Sequence, residues 1–501
     1  MAKTYSDYMD EISPDELYDK LVAYGLFSEK LPPIFDGQDF LMFCKQKERN
    51  FENKNYKYVT FYSTRNTNMP RTIGIPTPMS HERLCFTLKR HWVKIQDHFK
   101  EKTSSDQYRI SRIHLKKNPN SNSLFEMNYD KYNSVELNIS MGKRYLVKTD
   151  ISKCFPSIYT HAIPWALVTK EIAKANKKDS DKWYNQIDKS VQLTTDCQTH
   201  GLLIGPHTSN LISELILCAI DEELSRKWNY IRHIDDYECY VDTEDEANEF
   251  ILDLNKKLHH YDLSINQGKT KIQKMPLIAD DNWTLKIRGF LAETKINNDV
   301  FLDYKDVRTY INNCIELFQA NGENATVFVY GFKCISDERL SYNARKYLLK
   351  TTISLAMLYP YLISSIDDSV FIPLSVDSGE IGEYLNLMYG RYLHEACFDA
   401  VSFVIQIALK YDIVINKFDA DNIIETNDCI LLLCGLIYSK KYNLSKSLKK
   451  FKNHAKKLKE AGDMDEYWIF IYECLGSGSL DKDWKNLKRQ RISFLKNVYR
   501  Y

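Results

Sequence analysis

The chain has 501 residues, of which 44% are hydrophobic, 27% charged and 13% aromatic. That composition excludes disorder as the main state, and the length suits two to four domains. With 68 Lys and Arg against 67 Asp and Glu there is no global positive field, so contact with nucleic acid would fall to local basic patches.

The first residues, Met-Ala-Lys-Thr-Tyr-Ser-Asp, lack the apolar core of a signal peptide. Twelve cysteines are scattered along the chain with no CxxC pair, which argues against a structural zinc site and for reduced thiols. Strand-type runs are expected at Lys57 to Tyr62, Tyr145 to Thr149, Tyr230 to Ile234 and Tyr237 to Val241, and helices at 161–176, 208–227 and 244–261. Pro76, Pro78 and the stretch Pro119 to Ser123 punctuate this half as loops. Residues 81–120 carry ten Lys/Arg against four acids, with Trp92, Phe99 and Tyr108 among them, a mixture that suits a nucleic-acid backbone and its bases. From about residue 300 onward the pattern is helical: apolar residues recur every three or four positions from Val307 to Phe318 and from Val401 to Leu409. The fold class is therefore α+β followed by an all-α half, read either as a helical-repeat array or as an ordinary helical domain. The longest apolar run, Cys429 to Tyr438, is far short of the ~20 residues that span a bilayer. A soluble, cytoplasmic protein with no membrane partner is expected. Lys446 to Lys459 holds seven lysines and no acid, which reads first as a solvated helix face.

Four segments carry chemistry. Tyr145-Leu146-Val147-Lys148-Thr149-Asp150 is an apolar strand ending in an acid, a placement that suits a metal. At Tyr230 to Tyr240, two β-type runs meet at Asp235-Asp236, a hairpin with both acids at its turn. Alone, such a turn is an ordinary solvated tip. Between them, the loop Gly201-Leu202-Leu203-Ile204-Gly205-Pro206-His207-Thr208 opens onto a periodic helix that Ser209 and Asn210 would cap. Last comes Asn266-Gln267-Gly268-Lys269-Thr270. It is no phosphate-binding P-loop, because Leu263 stands where GxxxxGK[ST] requires glycine.

In this order the segments resemble motifs A, B, C and D of the reverse-transcriptase palm. The resemblance implies a polymerase in which Asp150, Asp235 and Asp236, with the Ile151 carbonyl, hold two Mg²⁺ ions, Mn²⁺ being the alternative. It implies that Lys269 serves the leaving pyrophosphate as proton donor or charge partner. Phe155 would lie under the sugar and favour deoxynucleotides, Gly205, Pro206 and Ser209 would contact the incoming nucleotide, and Arg71 would touch the triphosphate. Each has a plainer reading, Phe155 as a core aromatic and Lys269 as a surface lysine.

His233 stands where the Tyr-x-Asp-Asp motif has Tyr, and Pro206-His207-Thr208 replaces Pro-Gln-Gly. With the long helical half, the layout resembles the abortive-infection (Abi) polymerases of bacterial phage defence: fingers and palm over 1–290 (fingers roughly 40–140, palm roughly 141–290), then a HEAT-like helical-repeat domain over 291–501 in place of a thumb. That family implies template-independent, protein-primed synthesis from dNTPs, a single-stranded DNA product attached to a tyrosine, and a homo-oligomer, trimer or hexamer. Tyr5 and Tyr8, at a flexible end, are the priming candidates. Two other readings stay open: a templated RNA-directed DNA polymerase of retron or intron type, and a non-catalytic palm scaffold that binds a protein. An RNA polymerase or terminal nucleotidyl transferase is a further alternative.

Overall fold

The structure is a computed structural model that describes residues 5–46, 51–52, 54–103, 111–113, 125–127, 136–277, 282–296 and 301–501. Its centre is a four-stranded antiparallel sheet in the order β6-β7-β5-β8, formed by β5 (Tyr145–Asp150), β6 (Tyr230–His233), β7 (Asp236–Val241) and β8 (Lys271–Lys274). The alternation of strand residues divides its two faces. Val147, Tyr237 and Cys239 join the main core under the helices His207–Leu224 and Glu244–His260, while Leu146, Ile231 and Tyr240 close a small second cluster with Ile139. Thr243 and Glu246 start the helix Glu244–His260 with a reciprocal capping box. The register sets Asp150 opposite Asp236 and Lys148 opposite Lys271.

Apart from this sheet stand a hairpin of β1 (Tyr58–Thr64) and β2 (Pro70–Pro76), paired from Tyr58↔Pro76 to Thr64↔Pro70, and a short pair of β3 (Ser111–Ile113) and β4 (Phe125–Met127). The tip of the β1–β2 hairpin is fastened to the helical half. Thr64 donates through N–H and Oγ1 to Asp399 at 2.6 and 3.1 Å, Asn66 reaches Asn324 at 2.7 Å, and Ala325 N–H donates to the Asn66 carbonyl at 2.9 Å. Beyond β8 every described element from Asn282 to Tyr499 is helical. The stripe Val307 to Phe318 is the buried face of Tyr304–Ala320, and Val401 to Leu409 lies within Phe398–Lys410. The run Cys429 to Tyr438 forms a helix buried on all sides, and among the described residues no helix is long and apolar enough to cross a membrane. An aromatic seam joins early and late parts of the chain: Phe40 meets Phe494 at 5.5 Å, and Phe27 lies 6.3 Å from Trp468, which packs on Phe494 at 4.9 Å.

Three expectations change. The segment 161–176 is two helices, Ala162–Val168 and Lys170–Ala175, because Thr169 takes φ 85° and ends the first turn sequence. The helix expected from 208 starts at His207 after Pro206, so Ser209 and Asn210 lie inside its first turn and cap nothing. Tyr5 and Tyr8 belong to a helix, Tyr5–Asp10, rather than a loose end. Met9 and Ile12 are buried, and their carbonyls accept from Gln96 Nε2 and Trp92 Nε1, both at 2.7 Å. Of the basic stretch 81–120, residues 104–110 and 114–120 lie outside the described residues.

Candidate active site

Backbone bonds draw the predicted segments together. The Ile151 N–H donates to the Asp235 carbonyl at 3.1 Å, Asn266 N–H to the Asp150 carbonyl at 2.8 Å, and Ser152 N–H to the Ser264 carbonyl at 2.9 Å. The strand-end acid, the hairpin turn and the Asn266–Lys269 turn are thus stitched at one corner of the sheet. Asp235 sits in the β6–β7 turn and Asp236 opens β7.

Asp150 is buried, its Oδ2 accepts from Lys269 Nζ at 2.6 Å, and its Oδ1 is buried with no hydrogen-bond partner. A buried carboxylate oxygen left without a donor is costly. Burial raises the Asp235 carboxyl, and the charge of Asp150 adds to it, against the pull of Lys269 and Arg71. Asp236 is pushed up to about 6, first by desolvation and then by Asp235 and Asp150; its outer surface still meets water. Two carboxyls raised by burial and by the charge of a neighbouring third mark a place built for positive charge. Among the described residues no three His, Cys, Asp or Glu side chains form a closed ligand cage. The donor set suits Mg²⁺ all the same, since that ion takes one or two carboxylates and completes its shell with water and substrate phosphates.

The glycine loop borders this corner. Gly201 N–H donates to the Ile158 carbonyl at 2.9 Å and Leu202 N–H to the Phe155 carbonyl at 2.8 Å, which fixes the loop against the turn after β5. The Phe155 ring is half-buried against the core. Gly74 N–H donates to the Ile204 carbonyl at 2.9 Å, so β2 lies along the loop. Gly205 has φ +127°, and a Cβ there would stand 2.9 Å from Ile73 Cγ2, so glycine is required. Ser209 is buried and its N–H is turned to the Pro206 carbonyl at 3.1 Å. Arg71, on β2, is exposed and close enough for its charge to act on Asp235. It lines a cleft of about 500 Å³ between the β1–β2 hairpin and the helical half, with Lys30 and Arg65 on one wall and Tyr361, Asp368 and Phe403 on the other.

One cluster escaped the sequence analysis. Arg232, wholly buried, donates from Nε to Asp221 Oδ2 at 2.8 Å, from Nη1 and Nη2 to Glu214 at 3.1 and 2.9 Å, and from Nη1 to the Ile234 carbonyl at 2.8 Å. Tyr230 Oη donates to the other Asp221 oxygen at 2.6 Å. The available signal was Glu214 and Asp221, seven apart on a helix otherwise lined by Leu and Ile, which places both acids on one apolar face.

Residues 84–292 match the family described as reverse transcriptase (RNA-dependent DNA polymerase). No curated protein matches the sequence. Among solved structures, the apo telomerase of Candida tropicalis is 11% identical over 74% of this chain and 68% of its own, with a TM-score of 0.31. The telomerase of Candida albicans, in complex with a TWJ fragment of telomeric RNA, is 10% identical over 75% and 70%, also at 0.31. Against the C. tropicalis form truncated from its C-terminal domain, this chain covers 51% of that chain and 46% of its own, at 13% identity and a TM-score of 0.30. Likenesses this faint carry no argument about this chain. Arg71 lies outside the matched stretch, whereas Asp150, Phe155, Gly205, Pro206, Ser209, Asp235, Asp236 and Lys269 lie inside it, and residues 84–292 constitute a reverse-transcriptase domain.

Proposed function

We propose that the chain is a DNA polymerase of the abortive-infection type, which adds deoxynucleotides without a template and starts from a tyrosine hydroxyl of its own. The observation that carries the polymerase reading is the convergence of Asp150, Asp235 and Asp236 at one sheet corner, with Asp150 Oδ1 buried and unmatched. Asp150, the Ile151 carbonyl, Asp235 and Asp236 would hold two Mg²⁺ ions, which when bound activate the attacking hydroxyl and neutralise the triphosphate.

The chain's own groups do the rest. Arg71 orients the phosphates from β2 while the Gly205 loop, kept flat against β2, admits base and sugar. Phe155 closes the space beside the sugar and disfavours a 2′-hydroxyl. Lys269 neutralises Asp150 before substrate binds and gives its positive charge, or a proton from Nζ, to the departing pyrophosphate. The helices after β8 act as a HEAT-like array in place of a thumb, and the chain works as a homo-oligomer in phage defence. Tyr5 or Tyr8 primes; the described residues include their helix backbone but not their side chains.

The test is purified protein with labelled dNTPs and Mg²⁺, without template or primer, beside Asp235→Ala. Labelled DNA that stays with the protein until protease releases it is the expected result. Product only on a primed template would favour the second reading, a templated RNA-directed enzyme, which the description of the matched family favours. No product under either condition would leave a palm that serves as a scaffold.

A further inference from the structure

We infer that Arg232 is a positioning residue of this palm: its guanidinium holds the Ile234 carbonyl, and through it the Asp235–Asp236 turn, at a fixed place against the helix that follows the glycine loop. The inference rests on the palm reading above and adds a residue to it.

The turn is unusual in its backbone. Ile234 has φ +54°, a left-handed conformation that a β-branched side chain adopts only when the surroundings impose it. Two successive carbonyls are each held by a donor from a different element. Arg232 Nη1 takes the Ile234 oxygen at 2.8 Å, and the Ile151 N–H takes the Asp235 oxygen at 3.1 Å. With both peptide planes fixed, the Asp235 side chain has little freedom to swing away from Asp150. Releasing the Ile234 oxygen removes one of the two constraints and lets the strained residue relax.

The guanidinium is itself fixed. Asp221 and Glu214 occupy its remaining edges at 2.7 to 3.1 Å, and Arg232 and Asp221 have no solvent exposure. Stability alone is a poor reason for such a cluster, because apolar residues of like volume commonly serve as well as a buried ion pair. A planar fork with fixed donors does something that apolar packing does not: it transmits the position of one helix to one carbonyl. That helix, His207–Leu224, begins directly after Gly205-Pro206. Arg232 therefore sets the distance between the loop proposed to receive the nucleotide and the acids proposed to hold the ions.

The experiment compares the full-length wild type with Arg232→Lys, Glu214→Gln and Asp221→Asn. It follows Mn²⁺ binding by electron paramagnetic resonance, melting temperature without divalent ion, and dNTP incorporation as a function of Mg²⁺. Arg232→Lys keeps a charge and loses the fork; its Mn²⁺ affinity should fall about tenfold or more, and its half-maximal Mg²⁺ should rise in proportion while the KM for dNTP changes less. Asp221→Asn leaves the Ile234 contact in place, so it should lower the melting temperature and leave ion affinity within about twofold. Should Arg232→Lys fail to fold, Glu214→Gln, which loosens the fork, should show the same ion defect in smaller measure. Equal Mn²⁺ affinity in wild type and Arg232→Lys, or in the fallback case wild type and Glu214→Gln, would overturn the inference and leave a structural cluster only. Mn²⁺ binding without incorporation in the wild type would refute the polymerase reading while the affinity comparison still decides the role of Arg232. A wild type that binds no Mn²⁺ overturns both.

Discussion

Replacing Asp236 with Asn should make the ion-free protein more stable. The Asp236 carboxyl holds its proton up to about 6 in the folded chain, against 3.8 for the ordinary group. Between those values rising pH strips the unfolded chain first, so the folded state loses stability as pH climbs from about 4 to about 6, and the deficit persists above. At 1.36 kcal/mol per pH unit the full shift corresponds to about 3 kcal/mol. Asp236 keeps contact with water, and screening reduces the expectation to about 1–2 kcal/mol. Asn removes the charge and nearly preserves the shape. Urea unfolding in EDTA should therefore show Asp236→Asn ahead of wild type by that amount near pH 7 and level with it below about pH 4. Added Mg²⁺ should narrow the gap, because the ion stabilises the wild type it binds. A variant less stable than wild type near pH 7, or a gain of equal size near pH 4, would refute the reasoning that these acids strain one another.

Three further changes have definite outcomes. Gly205→Ala forces a side chain into φ +127° with its Cβ 2.9 Å from Ile73 Cγ2 and 3.3 Å from Ser28 Cβ; it should cost about 1–3 kcal/mol in urea unfolding and raise the KM for dNTP. Lys269→Met takes the lysine donor from Asp150 Oδ2 and should lower the incorporation rate by about 10²-fold if Nζ serves the pyrophosphate, measured by single-turnover kinetics at saturating dNTP. Asp399→Ala removes both bonds that hold Thr64, each of a type worth about 1.5–3 kcal/mol. Amide exchange of β1 should accelerate while that of β5 stays as in wild type.

What could be read in advance was what is local. β5 and the β6–β7 hairpin show themselves by apolar runs that end on acids, and the helical stripes by their period of three to four. β2 was harder, because Pro76 and Pro78 read as punctuation; the structure puts Pro70 and Pro76 at the strand's ends and Gly74 opposite Thr60, with Leu203 filling the space that a side chain would take. The helix expected from 208 starts one residue earlier, and its cap was misassigned because good capping types, Ser209 and Asn210, followed a proline that itself occupies the cap. Arg232 was invisible for a different reason. Its partners lie 11 and 18 residues away on another element, and no periodicity of the strand it occupies announces a charge turned inward. The grip of Asp399 and Asn324 on the β1–β2 hairpin spans 335 and 258 residues, a relation that only the packed chain defines.

The seam between the chain's two ends has a consequence for how the molecule comes into being. Asp36 N–H donates to the Phe494 carbonyl at 2.9 Å, Lys496 N–H to the Ile34 carbonyl at 2.8 Å, and Arg500 Nη1 to Asp39 at 2.7 Å across 461 residues. Trp468 adds a contact from its Nε1 to the Ile75 carbonyl of β2 at 3.5 Å. During synthesis the early helices and β2 leave the ribosome long before the residues that cover them, and they wait with apolar faces open. Such distant pairings also close slowly. The corner of acids is therefore framed by a structure that forms only once the segment around Phe494 has been made, and a polypeptide arrested before Phe494 would present the β1–β2 hairpin to chaperones and proteases rather than to nucleotides.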